Sequence, residues 1–452
     1  MNKFSTLLVL VMLVQGQVAW AFQPQRSAST TATKLALSNA VGVSGGTNTM
    51  TVDIRENVQR DVLAMEEWAA RCGVQRADGL QLVANDSYGR DWSVMTQQPL
   101  QQGSPVLFVP NQMLLSSWSA AQEYGPALEQ AEQELLQANM GYQIPLFRVF
   151  TKILVEFERG TESPYFLWLN SLPRLFNNGA AMTYACFECL PPYVAWLSMK
   201  ERRNCVNFRK AAEFLHSSGI LSEPTATNTN ILKWAYCVAV TRSIEVQGER
   251  VIIPMADMFN HGTETEVSIQ FDEQGNSVAY ATRDIPPGSP LRISYRDPTN
   301  PSPLFATYGF LDKSSPASFC KMMHLASEME QLGMNFSQLL FYKDTGAISP
   351  QVWDLVLFSV LAQDPNRQQQ FYQAIMSGDH QTKQQFHQQF FSYSLEAMKK
   401  HVDGTLREID ELSREAMMKD PNTHPRVPAI LNHNDFVKET FLRVKANLDS
   451  MM

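Results

Sequence analysis

The hydrophobic pattern of the chain changes period four times. Over 58–70, Val58, Val62, Met65, Trp68 and Ala69 recur at helical spacing, and Gly73 follows as a stop. Short runs at 80–83, 88–95 and 106–110 read as strands, with Gly103 turning the chain before the last. From 111 to about 241 the period becomes helical, with amphipathic stretches at 120–137, 146–158, 199–215 and 231–244. Strand patterning then returns. An apolar run at 251–255 precedes 267–271 and 278–282, which Asp272-Glu273-Gln274-Gly275-Asn276 joins as a hairpin, and a further strand at 291–295 follows Pro286-Pro287-Gly288. Beyond 313 the helical period resumes. The stretch 351–362 is apolar on nearly every side, 367–389 is Gln-rich but interleaved with Phe371, Tyr372 and Phe386, and 436–448 reads as a helix capped by Asn434 or Asp435. The pattern predicts an α+β chain, with a β-rich domain interrupted by helices and a helical domain after it.

Composition narrows the class. With 452 residues, 44% hydrophobic and 18% charged, the chain can bury two or three cores. A net charge of −8 argues against electrostatic nucleic-acid binding and favours a protein substrate. The six cysteines, Cys72, Cys186, Cys189, Cys205, Cys237 and Cys320, show no framework spacing. Cys186-Phe187-Glu188-Cys189 has no second pair and no histidine at zinc spacing, so it reads as packing and no metal is expected. The chain carries no internal repeat, P-loop, GxSxG or HExxH.

The N-terminus reads as targeting sequence. Residues 1–21 have Lys3 at the head, an apolar run at 7–14 too short to span a bilayer, and a small-residue exit at Ala19-Trp20-Ala21, the layout of a signal peptide. Residues 22–52 lack Asp and Glu and carry Arg26, Lys34 and several Ser and Thr, as a transit peptide does. The two together resemble the bipartite presequence that delivers proteins to the stroma of complex plastids, with simple secretion as the alternative and no stable membrane anchor.

The candidate chemistry lies in 251–312. Met255-Ala256-Asp257-Met258-Phe259-Asn260-His261, then Ile293-Ser294-Tyr295, then Tyr308-Gly309-Phe310 resembles the catalytic half of SET-domain protein methyltransferases. The branch it resembles contains the Rubisco large-subunit lysine methyltransferase and the actin-histidine methyltransferase. Glu162-Ser163-Pro164-Tyr165-Phe166-Leu167-Trp168-Leu169-Asn170-Ser171-Leu172-Pro173 and Trp234-Ala235-Tyr236 match phrases of the same branch. The resemblance implies a SET fold over 53–312, split by a helical insert at about 111–241, and a C-terminal all-α domain over 313–452 that helps grip the substrate. It implies S-adenosylmethionine as cofactor, held by Asn260, His261, Asp257 and Phe310, with Tyr295 as the catalytic phenol. Arg242 is a candidate for the substrate channel, or equally an ion-pair residue.

One departure stands out. The family's first cofactor motif is Gly-x-Gly, and aligning back from Gly103 puts Asp91-Trp92-Ser93 there, unless Gly89 takes the role. Three functions therefore stand at the level of sequence: a lysine methyltransferase acting on a stromal protein such as the Rubisco large subunit or an aldolase, a protein-histidine methyltransferase, and an inactive SET-derived binding module.

Overall fold

The computed structural model describes residues 50–295, 301–319 and 322–451. Segment 1–21 and most of segment 22–52 lie outside the described residues. Packing is already established ahead of Asp53: the Met50 carbonyl accepts from the Thr161 N–H at 3.1 Å, and Val52 is 3% exposed.

The helix α1 (Val62–Arg71) opens the fold. Its apolar stripe extends back to Val58, but the Asp61 side chain accepts from the Ala64 N–H and fixes the start there, a cap that contributes about 1 kcal/mol. Five strands follow: β1 (Gln75–Arg76), β2 (Leu80–Ala84), β3 (Trp92–Thr96), β4 (Pro105–Val109) and β5 (Leu115–Ser116). The single helix expected over 120–137 is two, α2 (Ser117–Tyr124) and α3 (Glu129–Gln137). Gly125, at φ +49°, and Pro126 separate them, because neither sits comfortably inside a helix. The insert continues through α4 (Ile144–Arg159), α5 (Phe166–Ser171), α6 (Tyr184–Phe187), α7 (Pro192–Ser217), α8 (Glu223–Thr227) and α9 (Thr229–Arg242).

The chain then returns to strands: β6 (Ile244–Val246), β7 (Glu249–Ile252), β8 (Asn260–His261), β9 (Val267–Phe271), β10 (Ser277–Ala281), β11 (Ser289–Pro290) and β12 (Arg292–Ile293). They share sheets with the strands that precede the insert. The orders are β1-β4-β10-β9, β11-β3-β2 and β5-β7-β6, with β8 and β12 as a separate parallel pair. Val278 faces Phe108, Ser289 faces Thr96 and Leu115 faces Ile252 across these sheets. One β-rich domain is thus closed by strands from both sides of a helical insert, as the hydrophobic pattern predicts.

The C-terminal region is helical: α10 (Pro301–Tyr308), α11 (Ala326–Gln331), α12 (Pro350–Val360), α13 (Pro365–Ser377), α14 (His380–Gln389), α15 (Phe391–Met417) and α16 (Val427–Asp449). It also carries one small antiparallel pair, β13 (Ala317–Phe319) with β14 (Leu340–Tyr342). The helix expected at 436–448 is the second half of α16. Asn434 does not cap it; its buried side chain donates to the Cys189 carbonyl at 3.0 Å, and the helix starts earlier, with Pro428 in its first turn. No helix among the described residues is long and apolar enough to cross a membrane.

Two large cores and a smaller one follow from this order. The β-rich part and the insert share the first, around Phe147, Phe150, Phe208 and Tyr236; the C-terminal helices build the second, around Leu355, Phe371 and Phe441. The third joins them, with Cys186, Cys189 and Val194 packed on Phe305 and Ile430. Cys186 and Cys189 are buried apolar contacts of this joint: Cys186 lies 3.4 Å from the Thr183 hydroxyl and Cys189 donates to the Ala185 carbonyl.

Candidate active site

The site forms where β7 gives way to the parallel pair of β8 and β12. After β7 the backbone enters the left-handed region at Met255, φ +72°, an uncommon conformation for a residue with a Cβ. A 3-10 turn, Ala256–Met258, then carries Asp257, and β8 sets Asn260 and His261 opposite Arg292 and Ile293. That register brings Tyr295, two residues past Ile293, beside His261. The His261 Nδ1 accepts from the Tyr295 backbone N–H at 3.1 Å. The remaining ring proton is therefore on Nε2, which stands 3.4 Å from the Asp312 carboxylate. Burial lowers the His261 pKa, and Asp312 offsets part of that effect.

Four rings meet here. Tyr295 lies 4.8 Å from Tyr308 and 6.1 Å from Phe310 between ring centroids, and His261 lies 5.5 Å from Tyr295 and 5.8 Å from Phe310. The Tyr295 hydroxyl donates to the Phe259 carbonyl at 2.7 Å. Burial raises its pKa, so the phenol keeps its proton at neutral pH.

A cavity of about 320 Å³ opens beside the phenol, lined by Arg242, Asp257, Phe259, Tyr295 and Tyr308 among others. Arg242, at the end of α9 and on the wall of this cavity, donates from Nη1 to the Asp257 carbonyl at 2.6 Å. The Asp257 Oδ2 accepts from the Trp168 indole N–H at 3.1 Å. Its Oδ1 and the Arg242 Nε are shut off from solvent and have no hydrogen-bond partner. Burial raises the Asp257 pKa against the opposing charges of Arg242 and Arg60. Arg60 itself is pushed down to about 9 by burial and by repulsion from Arg242. The cavity wall thus carries an acid and a guanidinium, charges that suit a ligand with both an ammonium and a carboxylate.

Asn260 faces away from the ring cluster, and its side-chain amide donates to the Trp92 carbonyl at 2.9 Å. The Asp91-Trp92-Ser93 departure is therefore built into the site. Asn85 bonds the Asp91 carboxylate and the Ser93 hydroxyl, and the Trp92 indole donates back to the Gly89 carbonyl across a turn in which Gly89 has φ +61°. With its ring folded onto that turn, Trp92 offers its backbone carbonyl to Asn260.

The six sequence candidates thus fall into three neighbouring sets. Tyr295, His261 and Phe310 form the aromatic cluster, Asp257 and Arg242 line the cavity, and Asn260 ties the turn to β3. Sequence reasoning missed Arg60, which donates to the Ser171 and Arg90 carbonyls and touches the Met258 sulfur, and Asp312, the partner of His261. Trp168 lay inside a quoted phrase without a role. No local spacing marks any of the three.

Comparison with known proteins agrees with this architecture. Residues 91–296 match the SET domain family. No curated protein matches the sequence. Among solved structures, the SET domain of LSMT bound to lysine and AdoHcy is similar at 12% identity and a TM-score of 0.57, covering 86% of this chain and 91% of that one. Rubisco LSMT bound to AdoMet, and the same enzyme bound to sinefungin and monomethyllysine, give 12% identity, a TM-score of 0.57 and coverage of 87% and 92%. Residues 91–296 of this chain are a SET domain, and the chain around them has the fold of the Rubisco LSMT structures.

Proposed function

We propose that the protein is an S-adenosylmethionine-dependent protein methyltransferase whose acceptor is a lysine side chain of a plastid stromal protein. The observation that carries this reading is the Tyr295 hydroxyl, held on the Phe259 carbonyl at 2.7 Å at the wall of a cavity whose Asp257 and Arg242 are incompletely bonded. Asp257 and Arg242 fit the ammonium and carboxylate of the cofactor's methionine end, with His261, Phe310 and Asn260 shaping the rest of its site. The cofactor supplies a methyl group activated on a sulfonium.

The residues of the chain perform alignment and charge management. A free lysine has a pKa of about 10.4 and must be neutral to attack, and a narrow site walled by Phe259, Tyr295 and Tyr308 disfavours its ammonium form. Because the Tyr295 proton is committed to the Phe259 carbonyl, the phenol oxygen offers its lone pairs to the N–H of the incoming amine. His261 is a poor general base, since its Nδ1 is occupied by the Tyr295 N–H. The lysine assignment draws on the solved relatives, whose bound ligands are lysine and monomethyllysine; the plastid assignment draws on the presequence pattern of residues 1–52.

Two measurements test the proposal. Calorimetry should give saturable S-adenosylmethionine binding, weakened more by Asn260→Ala than by Cys186→Ala, whose thiol lies in the third core. A plastid extract incubated with methyl-labelled cofactor and the protein should yield labelled lysine by mass spectrometry. Absence of cofactor binding by folded protein would leave a SET-derived binding module, and label on histidine would change the acceptor.

A further inference from the structure

A second cavity, of about 240 Å³, shares no lining residue with the first. It lies where the N-terminal segment, the insert and the start of α16 meet, and its lining includes Arg55, Glu56, Arg174, Lys233 and Arg426. Four of these five are cationic, on a chain whose net charge is −8.

The charges are unevenly compensated. Arg55 pairs with Asp53, and Arg426 pairs with Glu56 while donating from Nε to the Phe176 carbonyl. Arg174 is 5% exposed and makes no ion pair within 4 Å among the described residues. Its Nη groups bond the Leu169, Leu172 and Asn170 carbonyls and the Asn170 side-chain oxygen, and its Nε has no partner. Lys233, on α9, makes no ion pair among the described residues. The hydrogen bonds of Arg174 among the described residues thus go only to neutral groups, and burial lowers its pKa to about 10 against the attraction of the nearby Asp53 charge. The remaining wall is apolar, with Ile54, Phe176 and Trp234.

We propose that this cavity is a binding site for a compact, multiply charged oxyanion, a small phosphate ester or polycarboxylate, held by Arg174, Lys233 and Arg426. The volume is below the roughly 300–1,000 Å³ of pockets that take drug-sized ligands, which excludes a peptide or a dinucleotide. Guanidinium and ammonium groups converging on oxyanions make charge-assisted hydrogen bonds, the strongest class available to such a site. Two elements run from this cavity to the first. Arg174 caps the end of α5, whose Trp168 bonds Asp257, and α9 carries Lys233 at one end and Arg242 at the other.

The test is calorimetry and thermal unfolding of the whole protein with inorganic phosphate and, separately, citrate, at constant ionic strength set by sodium chloride. One saturable site per chain is expected, with a rise in unfolding temperature. Lys233→Gln, at a partly exposed position that should not disturb folding, is expected to weaken binding about tenfold, the cost of one charge-assisted contact. Lys200→Gln, on an exposed position of α7 outside the cavity, should bind like wild type. Preference for phosphate or for citrate identifies the source of the anion. Absence of saturable binding, or equal weakening by Lys233→Gln and Lys200→Gln, overturns the proposal, whatever the protein does with a methyl donor.

Discussion

The Tyr295 hydroxyl donates to the Phe259 carbonyl at 2.7 Å, and the Tyr295 backbone N–H donates to His261 at 3.1 Å. Tyr295 is thereby tied by its hydroxyl to the end of the turn that carries Asp257 and by its backbone to β8. Tyr295→Phe keeps the ring among Tyr308, Phe310 and His261 and removes one hydrogen bond. Stability should fall by about 1 kcal/mol. Methyl transfer should fall ten- to a thousandfold, roughly the loss expected when one positioned polar contact to the reacting group is removed, with cofactor affinity little changed. Equal labelling by wild type and variant would make the phenol a core residue only.

Asp257→Asn separates ligand binding from folding. The fold resists ionisation of Asp257, because burial raises its pKa against the nearby charges of Arg242 and Arg60. An amide keeps an oxygen for the Trp168 indole and removes the cost of burying a charge. A raised folded pKa means that the acid's contribution to stability is present below the unfolded value of 3.8 and lost as pH rises through the folded value. The variant without ligand should therefore unfold at the same temperature as wild type or higher at pH 7, while cofactor affinity drops about tenfold or more. A less stable variant with unchanged affinity would mean that Asp257 serves the fold alone.

Much of this was legible in the sequence because it is local. The hairpin of β9 and β10 follows from strand alternation around Gly275, which has φ +77° as its turn requires. The position of Tyr295 follows from alternation past Ile293, and the split of the β-rich domain from the change of period at 111 and 241. What escaped is partly local and partly a matter of contacts distant in sequence. Asp61 and Pro428 moved helix starts by local chemistry that the apolar stripe obscures. Asn434 looked like a cap and is instead a buried bond to Cys189, 245 residues away along the chain. The Trp92 turn looked like a departure from a glycine motif, and its bond to Asn260, 168 residues distant, could not be read from local spacing.

The C-terminal helices contain an acid-sensitive residue. His401, on α15, packs between Phe341, Phe441 and His324, at centroid distances of 6.2, 6.1 and 6.3 Å, and its pKa is pushed down to about 4 by burial and by His324. The unfolded chain takes up this proton near pH 6.5 and the folded chain only near 4. The contribution is complete above the unfolded value and is lost as pH falls through the folded one, amounting to roughly 3 kcal/mol at most. Asp312 and Asp354, both held below the ordinary aspartate value, act at lower pH. Urea unfolding from pH 7 to 4.5 should show a steep loss in wild type and a shallower one in His401→Phe. Parallel curves would assign the acid sensitivity elsewhere.

Gly309 joins the two aromatic residues of the site, Tyr308 and Phe310, and its substitution tests whether their placement depends on one backbone conformation. Its φ is +82°, and a Cβ added there would stand 2.5 Å from the Asn177 carbonyl carbon and 2.6 Å from the Asn178 nitrogen. These are main-chain atoms that cannot swing aside, since Gly179 donates to the Ala306 carbonyl at 2.8 Å and Asn178 to the Thr307 carbonyl at 3.2 Å. Gly103 offers the matched control: its φ is +77°, but a Cβ there meets nothing within 4 Å. Gly103→Ala should cost only the strain of a left-handed alanine, about 1–2 kcal/mol, and leave the site intact. Gly309→Ala should cost that strain and a further 1–3 kcal/mol or so of overpacking, and it should move Tyr308 and Phe310 relative to Tyr295. Urea unfolding gives the stabilities and calorimetry gives cofactor affinity. Gly309→Ala is expected to be the less stable of the two and to lose cofactor binding at temperatures where it remains folded. Equal stabilities with equal affinities would show that segment 177–179 yields to the added carbon, and that the ring cluster does not rely on the glycine for its geometry.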